Sequence, residues 1–168
     1  MPNWCQNQLT VTGATPEFRA WLENEGFSFE KMNPPSKPRR SNRTDWDGWA
    51  MLERHYTAWG TKWDLDDHEQ REVASDLLDH GNAFFDTAWS PPIEAIEALS
   101  RKFPDDTLIL DYLEPGMFFA GRATFTAGEC CDECTQEKAE LIRIARDVFD
   151  EDWQDEDDAE TSEASAAA

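Results

Sequence analysis

Residues 1–13, MPNWCQNQLTVTG, open the chain with the pattern on which its expected fold depends. Among the odd positions Cys5, Leu9 and Val11 are apolar and Asn7 is the exception, whereas the even positions from Gln6 to Thr12 are polar. A period of two is typical of a β-strand with one buried face. We therefore predict a central or near-central strand here, in which Cys5 is a small buried hydrophobe and Trp4 closes the end of the same core.

Outward from this strand, helical and strand patterns alternate along the chain. We predict five helices: one after the N-cap at Thr15, two over about 47–58 and 66–80, one after Pro92, and one over about 135–152. Besides the first strand, we predict strands at 27–29, 82–89, 107–113 and 117–126. The three-residue link between the last two strands indicates an antiparallel hairpin. This order predicts an α+β fold, namely a ferredoxin-like antiparallel sheet with helices on one face. A helical insertion is expected between strands 2 and 3, and a hairpin strand and a helix are expected as C-terminal additions.

The domain organisation follows from the same patterns. Residues 1–153 are expected to form a single α+β domain, in which residues 33–80 are a basic loop plus the helical insertion. Residues 154–168 are acidic and alanine-rich without an apolar period, so we expect a disordered tail.

Charge is the strongest compositional signal. The 168 residues include 36 acids and 15 bases, for a formal net charge of -21. Such a chain repels phosphate backbones, so we expect no direct binding of nucleic acid. It can instead attract proteins whose basic surfaces bind nucleic acid. A need for solubility, or adaptation to a high salt concentration in the cytoplasm, would explain the same charge. The acidic face that we expect to bind a partner is formed by Glu137, Glu140, Asp147, Asp150 and Asp152.

A basic loop and a tryptophan-rich stretch suggest an alternative binding surface. Residues 32–43, MNPPSKPRRSNR, contain three prolines and several bases but no acid, which indicates a loop. In residues 45–64 the rings recur at helical spacing, which is typical of a core, with an exposed platform as the alternative. A lysine between two tryptophans is most often a paired structural charge, with a Schiff-base or phosphate-binding lysine as the alternatives. The alternative surface comprises Lys37, Arg39, Arg40, Arg43, Trp59, Lys62 and Trp63.

The cysteines are the main candidates for chemistry. Cys131 and Cys134 form a CxxC pair beside Cys130. A structural zinc commonly needs two such pairs, and the chain has no second one, so zinc would require Cys5 or a histidine. The same motif is compatible with a reversible thiol pair or with plain cysteines, and the neighbouring acids should raise the thiol pKa values. Because phosphate-loop and nucleophile-elbow motifs are also absent from the sequence, we predict no enzyme, no catalytic residue, no metal and no cofactor.

The expected location is the cytoplasm of a host cell. No apolar stretch approaches the roughly 20 residues that span a bilayer, so no membrane association is expected. The first residues lack the layout of a signal peptide, and four cysteines do not resemble a secreted disulfide framework.

Four sequence blocks resemble the YubB-like family of phage- and plasmid-borne proteins. They are MPNWCQNQLTVTG at 1–13, WGTKWD at 59–64, FFDTAWSPP at 84–92 and YLEPGMFFAG at 112–121. The resemblance implies a ferredoxin-like domain and an origin in a mobile element. It implies no catalytic residue, because no activity is established for the family, and it leaves out the basic loop, the cysteines and the acidic tail.

Charge and resemblance together suggest a function. We expect a non-enzymatic accessory protein that mimics the charge of DNA and thereby binds and inhibits a nucleic-acid-binding defence complex of the host. Anti-CRISPR and anti-restriction proteins are examples of this class. The alternative is a protein–protein adaptor or a homo-oligomeric module, such as a homodimer, that uses the tryptophan-rich insertion and the basic loop.

Overall fold

One antiparallel sheet organises the protein in a computed structural model that describes residues 3–37 and 48–153. Within these residues the strands are β1 (Trp4–Thr12), β2 (Asn82–Ala88), β3 (Thr107–Glu114), β4 (Phe119–Thr126) and β5 (Glu129–Thr135). Their order across the sheet is β2-β1-β3-β4-β5. This architecture confirms the α+β fold with an open antiparallel sheet.

Strand β1 lies inside the sheet and pairs along both of its edges. Leu9 is opposite Ala83 of β2 on one side and Leu110 of β3 on the other. Cys5 and Leu9 are fully buried, as the alternation predicts. Trp4, however, is 49% exposed, so the prediction that it closes the core is wrong. The physical reason is the same alternation, which turns residue 4 to the face opposite residue 5.

The helices are α1 (Pro16–Glu25), α2 (Phe29–Met32), α3 (Gly48–Trp59), α4 (Asp67–His80), α5 (Ile93–Lys102) and α6 (Lys138–Phe149). The first five contribute to a core on the sheet face that carries Leu9 and Leu110. Phe18 of α1, Leu77 of α4 and Ile96 of α5 are buried there. These five helices lie on one face of the sheet, as predicted.

Helix α6 covers the opposite face of the sheet. Leu141 and Ala145 are fully buried against Leu113 of β3 and Ala120 of β4. Strand β3 is therefore buried on both faces, and the helix that was expected as an addition forms the second core.

The predicted strand at 27–29 is wrong. Phe27, Ser28 and Phe29 are all buried, and Phe29 begins α2. Both phenylalanine rings pack on Phe85 of β2, so the apolar alternation reflects a buried connection rather than a strand. The insertion consequently lies after α1 in the connection between β1 and β2, instead of between a second and a third strand.

Strand β5 was not predicted, although it forms a hairpin with β4. Ala127 and Gly128 connect the two strands, and both have positive φ values, 53° and 82°. Two successive residues in the left-handed region are typical of a two-residue hairpin turn. The final helix therefore begins at Lys138 rather than near Thr135, which belongs to the strand.

The predicted tail, the predicted basic loop and the expected lack of a membrane-spanning helix remain to be compared with the structure. The tail at 154–168, the second half of the basic loop at 38–43, and residues 44–47 lie outside the described residues. None of the described helices combines the length and the apolar character needed to cross a membrane.

The role of α6 can be tested with the substitution Leu141→Ala. Removing a fully buried leucine should lower the free energy of unfolding by about 2–4 kcal/mol, measured by urea denaturation. The control is Arg146→Ala on the same helix, whose side chain is 63% exposed and whose loss should cost no more than about 0.5 kcal/mol. Equal effects of the two changes would mean that α6 does not form a second core.

Candidate binding cleft

An open cleft lies where helix α3 and the turn after it meet the end of strand β2. Its volume is about 410 Å³. We call it the Trp cleft, and its lining residues are Gly48, Trp49, Met51, Leu52, His55, Lys62, Trp63 and Trp89. Most of these side chains are apolar, and none of them is acidic.

Lys62 lies at the centre of the Trp cleft, between two indole rings. Its Nζ atom is 4.2 Å from the ring centroid of Trp63 and 4.3 Å from that of Trp89. Both distances are within the range of a cation–π interaction. Among the ion pairs of the described residues none involves Lys62. Within the described part of the chain, the lysine is therefore paired with rings rather than with an acid.

The backbone of Trp89 is held in a conformation that is rare for a residue with a side chain. Its φ is 75°, in the left-handed region. Such a residue costs about 1–3 kcal/mol and persists only where its surroundings enforce it. Here the Trp89 amide donates to the Asn3 carbonyl at 2.9 Å, and Thr87 Oγ1 donates to the Ser90 carbonyl at 2.8 Å. These bonds hold the backbone from which the Trp89 ring reaches Lys62.

The segment WGTKWD at 59–64 divides into structural residues and residues of the cleft. Trp59 is buried, and its Nε1 donates to the Asn33 carbonyl at 2.9 Å. Gly60 has a φ of 81°, and a side chain there would collide with Glu94. Thr61 Oγ1 donates to the Ala88 carbonyl at 2.9 Å and ties the turn to β2. This frame presents the next two residues, Lys62 and Trp63, to the Trp cleft.

Asp64 is part of the same frame, because its carboxylate binds the start of helix α2. It accepts hydrogen bonds from Ser28 Oγ at 2.7 Å, the Phe29 amide at 2.9 Å and the Glu30 amide at 3.0 Å. An acid close to Lys62 in sequence is thus committed to a helix terminus and does not neutralise the lysine.

His55 supports the cleft from below. Its ring stacks on Trp59 with a centroid distance of 4.3 Å. Its Nδ1 lies 2.8 Å from the Lys62 carbonyl oxygen, and because a carbonyl only accepts, Nδ1 is the donor. The imidazole therefore anchors the backbone of Lys62.

The structure places the predicted loop and tryptophan residues in different environments. Lys62 and Trp63 lie together in the Trp cleft, whereas Trp59 is buried beneath it. The segment leading to Lys37 runs beside α3, since Asn33 Nδ2 donates to the Ala58 carbonyl at 2.7 Å. Arg39, Arg40 and Arg43 lie outside the described residues.

Sequence reasoning missed three exposed apolar side chains of the cleft. Trp49 and Met51 are 77% and 48% exposed, although their helical spacing is typical of a core. Trp89 was assigned to the end of a strand, and only its presence in the block FFDTAWSPP marked it. No local pattern shows that it meets Lys62.

The acids predicted as a binding face are interleaved with bases. Glu140 Oε2 is 2.7 Å from Arg143 Nε, and Asp147 Oδ1 is 3.0 Å from Arg146 Nε. Helix α6 carries three bases and two acids, so its own charge is slightly positive. Glu137 and Asp150 cap its two ends, and Asp152 is exposed beyond it. A role of these acids in binding stays a prediction.

A denser group of acids lies on helix α4 and the edge strand β2. Helix α4 has five acids and one arginine. Beside it, the pKa of Asp86 is raised by partial desolvation and then by the charges of Glu69 and Glu151. Desolvation alone would raise this pKa, but the contributions of Glu69 and Glu151 show that three carboxylates lie near one another at this edge of the sheet.

The cysteine motif lies on the edge strand β5, and its geometry disfavours both zinc and a disulfide. Cys131 and Cys134 are three residues apart and therefore face opposite sides of the strand. Cys130 and Cys134 share a side but are about 13 Å apart along it. Partial desolvation, followed by the charge of Asp132, raises the pKa of Cys130 to about 11. The described residues contain no group of three potential metal ligands.

The sheet and its helices define a ferredoxin-like α+β protein, because β2, α5 and β3 form a β-α-β unit split by β1. Residues 58–164 match the model of the family described as the ferredoxin-like domain in Api92-like protein, and the chain belongs to this family. Neither the curated proteins nor the solved structures include a match. The matched region contains Lys62, Trp63 and Trp89. The more specific resemblance to YubB-like proteins stays a prediction.

The division of the segment WGTKWD can be tested by comparing two variants. Lys62→Met should change the free energy of unfolding by less than about 1 kcal/mol, because cation–π pairs in an open cleft contribute little. Asp64→Ala should lower it by about 2–3 kcal/mol, because the start of α2 loses its acceptor. Guanidinium denaturation of both variants measures the difference. A loss for Lys62→Met as large as that for Asp64→Ala would make the lysine a structural residue.

Proposed function

We propose that this chain is a non-enzymatic protein-binding module whose partner docks in the Trp cleft. The observation that carries the proposal is the pair of indole rings on either side of Lys62. Trp63 and Trp89 are 42% and 39% exposed, yet both are attached to a buried and hydrogen-bonded frame. Rigid, exposed tryptophans are the side chains that most often dominate the energy of a protein interface.

The surface around the two rings extends the apolar contact area. Trp49 and Met51 on α3 are large apolar side chains with exposed fractions of 77% and 48%. Tryptophan and methionine are enriched at the centre of interfaces, and a cluster of such side chains marks an interaction site. A docked partner would remove this surface from water.

Binding rather than catalysis is proposed because the titratable groups of the cleft have structural partners. The His55 ring is fixed between Trp59 and the Lys62 carbonyl. The Lys62 ammonium is fixed between two rings. The proposal includes the phage or plasmid origin that the YubB-like blocks imply, and with it the cytoplasm of a host cell.

The double variant Trp63→Ala/Trp89→Ala tests the proposal. Full-length chain is immobilised, retained proteins from the natural host are identified by mass spectrometry, and the purified partner is titrated by calorimetry. Removing two central tryptophans should weaken its binding by about 100-fold or more.

The matched control is Trp4→Ala, which removes an exposed tryptophan outside the cleft and should leave partner binding unchanged. Thermal melts verify that each variant is folded. Undiminished partner binding by the double variant would refute the proposal.

A second candidate function, mimicry of DNA charge, is favoured by the acids of α4 and β2. Asp86 lies close enough to Glu69 and Glu151 for their charges to raise its pKa. This surface would occupy the basic groove of a host defence complex in place of phosphates. Its acids differ from the α6 residues that the sequence suggested, which are balanced by arginines.

Competition with labelled duplex DNA for restriction and CRISPR effector complexes of the host tests the mimicry. The triple variant Glu69→Gln/Glu72→Gln/Asp76→Asn should compete at least about tenfold more weakly than the original chain at low salt. The control Glu137→Gln/Glu140→Gln/Asp147→Asn removes the same number of acids from the region of α6 and should compete normally. If the original chain displaces no DNA at any salt concentration, the mimicry is excluded.

A further inference from the structure

We propose that the Trp cleft receives an acidic side chain of the partner together with a neighbouring apolar side chain, and that Lys62 binds the carboxylate. This inference rests on the proposed function and specifies the chemistry of the partner. It starts from an ammonium group that lies in an open cleft of a strongly acidic protein. Among the residues that the structure describes, this group contacts the faces of two rings and no acid.

The charge of the Trp cleft contrasts with that of the chain. The whole sequence carries a net charge of -21, but no acid is among the described residues that line the cleft. Lys62 and His55 are the ionisable side chains of this lining, and Asp64 is committed to α2. Acids elsewhere on the surface are screened over roughly 8 Å at physiological salt. The cleft is therefore a local site for an anionic group.

The position of the ammonium suits a carboxylate. A lysine ammonium has three donors, and the faces of Trp63 and Trp89 attract its charge without accepting a conventional hydrogen bond. The rings also exclude water from part of the group, which strengthens a charge-assisted bond. A carboxylate that enters the cleft completes the coordination of Lys62.

The walls of the cleft supply the second part of the specificity. Trp49, Met51 and Leu52 present apolar surface, and a volume of about 410 Å³ holds one or two side chains. A peptide with an acidic and an apolar side chain next to each other matches this combination. A nucleic acid does not, because its repeated phosphates would meet the net negative charge of the protein. Capture of a chain terminus commonly uses a nest of backbone N–H groups, whereas the donor here is a side chain.

Three tripeptides test the inference by NMR of the full-length chain labelled with ¹⁵N. They are acetyl-Leu-Glu-Phe amide, its neutral counterpart acetyl-Leu-Gln-Phe amide, and acetyl-Leu-Gln-Phe with a free terminal carboxylate. Each is titrated to about 10 mM, since single-site peptides of this size bind in the millimolar range. The indole Nε1–H signals of Trp49, Trp63 and Trp89 are followed and are assigned from single Trp→Phe variants.

The glutamate peptide should bind about tenfold more tightly than the glutamine amide, which is the contribution of a charge-assisted hydrogen bond. Lys62→Met keeps the aliphatic stem and should abolish this difference. The control Lys102→Met removes another lysine that lies over a tryptophan, 5.7 Å from the Trp21 ring centroid, and should preserve the difference.

Three outcomes overturn the inference: equal affinity for the glutamate and glutamine amides, tighter binding of the peptide with the free terminus, or no binding of any peptide. These outcomes are separate from a failure of the proposed function. A cleft that binds a purely apolar partner would give the first of them, and in that case Trp63→Ala/Trp89→Ala would still lose the natural partner. If that double variant keeps the natural partner, the proposed function itself fails.

Discussion

The pairing of β1 along both edges is the constraint on which the rest of the structure depends. Leu9 sits between Ala83 and Leu110, so residues distant in sequence must return to the first strand from either side. Asn7, the polar residue among the apolar positions of β1, also stabilises this pairing. Asn7 is buried on the core face, where its Nδ2 donates to Thr87 Oγ1 at 2.9 Å and to the Phe85 carbonyl at 3.2 Å. A buried amide with these partners specifies the register of β1 against β2.

The cleft is a consequence of this pairing. Because β2 must lie beside β1, the chain leaves the sheet after Thr12, passes through α1–α4 and returns at Asn82. The bond from Thr61 Oγ1 to the Ala88 carbonyl joins the insertion to the end of β2. Lys62 and Trp89 meet at this junction. The family match begins at residue 58, so it includes the junction together with the sheet from β2 onward.

The distribution of charge is also decided by the packing of helices. Helix α6 must cover the second face of the sheet, and its outer side mixes arginines with acids. Helix α4 packs on the first face through Val73 and Leu77 and leaves its acids outside. Total charge therefore indicates an acidic protein without indicating which surface is acidic.

The sequence by itself determined those features that depend on local period and on turn chemistry. The alternation in β1 predicted a strand with Cys5 buried, and the link after Glu114 predicted a hairpin, because these patterns act between near neighbours. The strand predicted at 27–29 was wrong because a buried connection and a short strand both need apolar residues. Strand β5 was not predicted because its side chains are exposed on both faces and show no alternation of apolar and polar residues. The cleft was decided only by tertiary structure: helical spacing cannot show which side of α3 is covered, and Trp89 reaches Lys62 only because the sheet brings the end of β2 to the insertion.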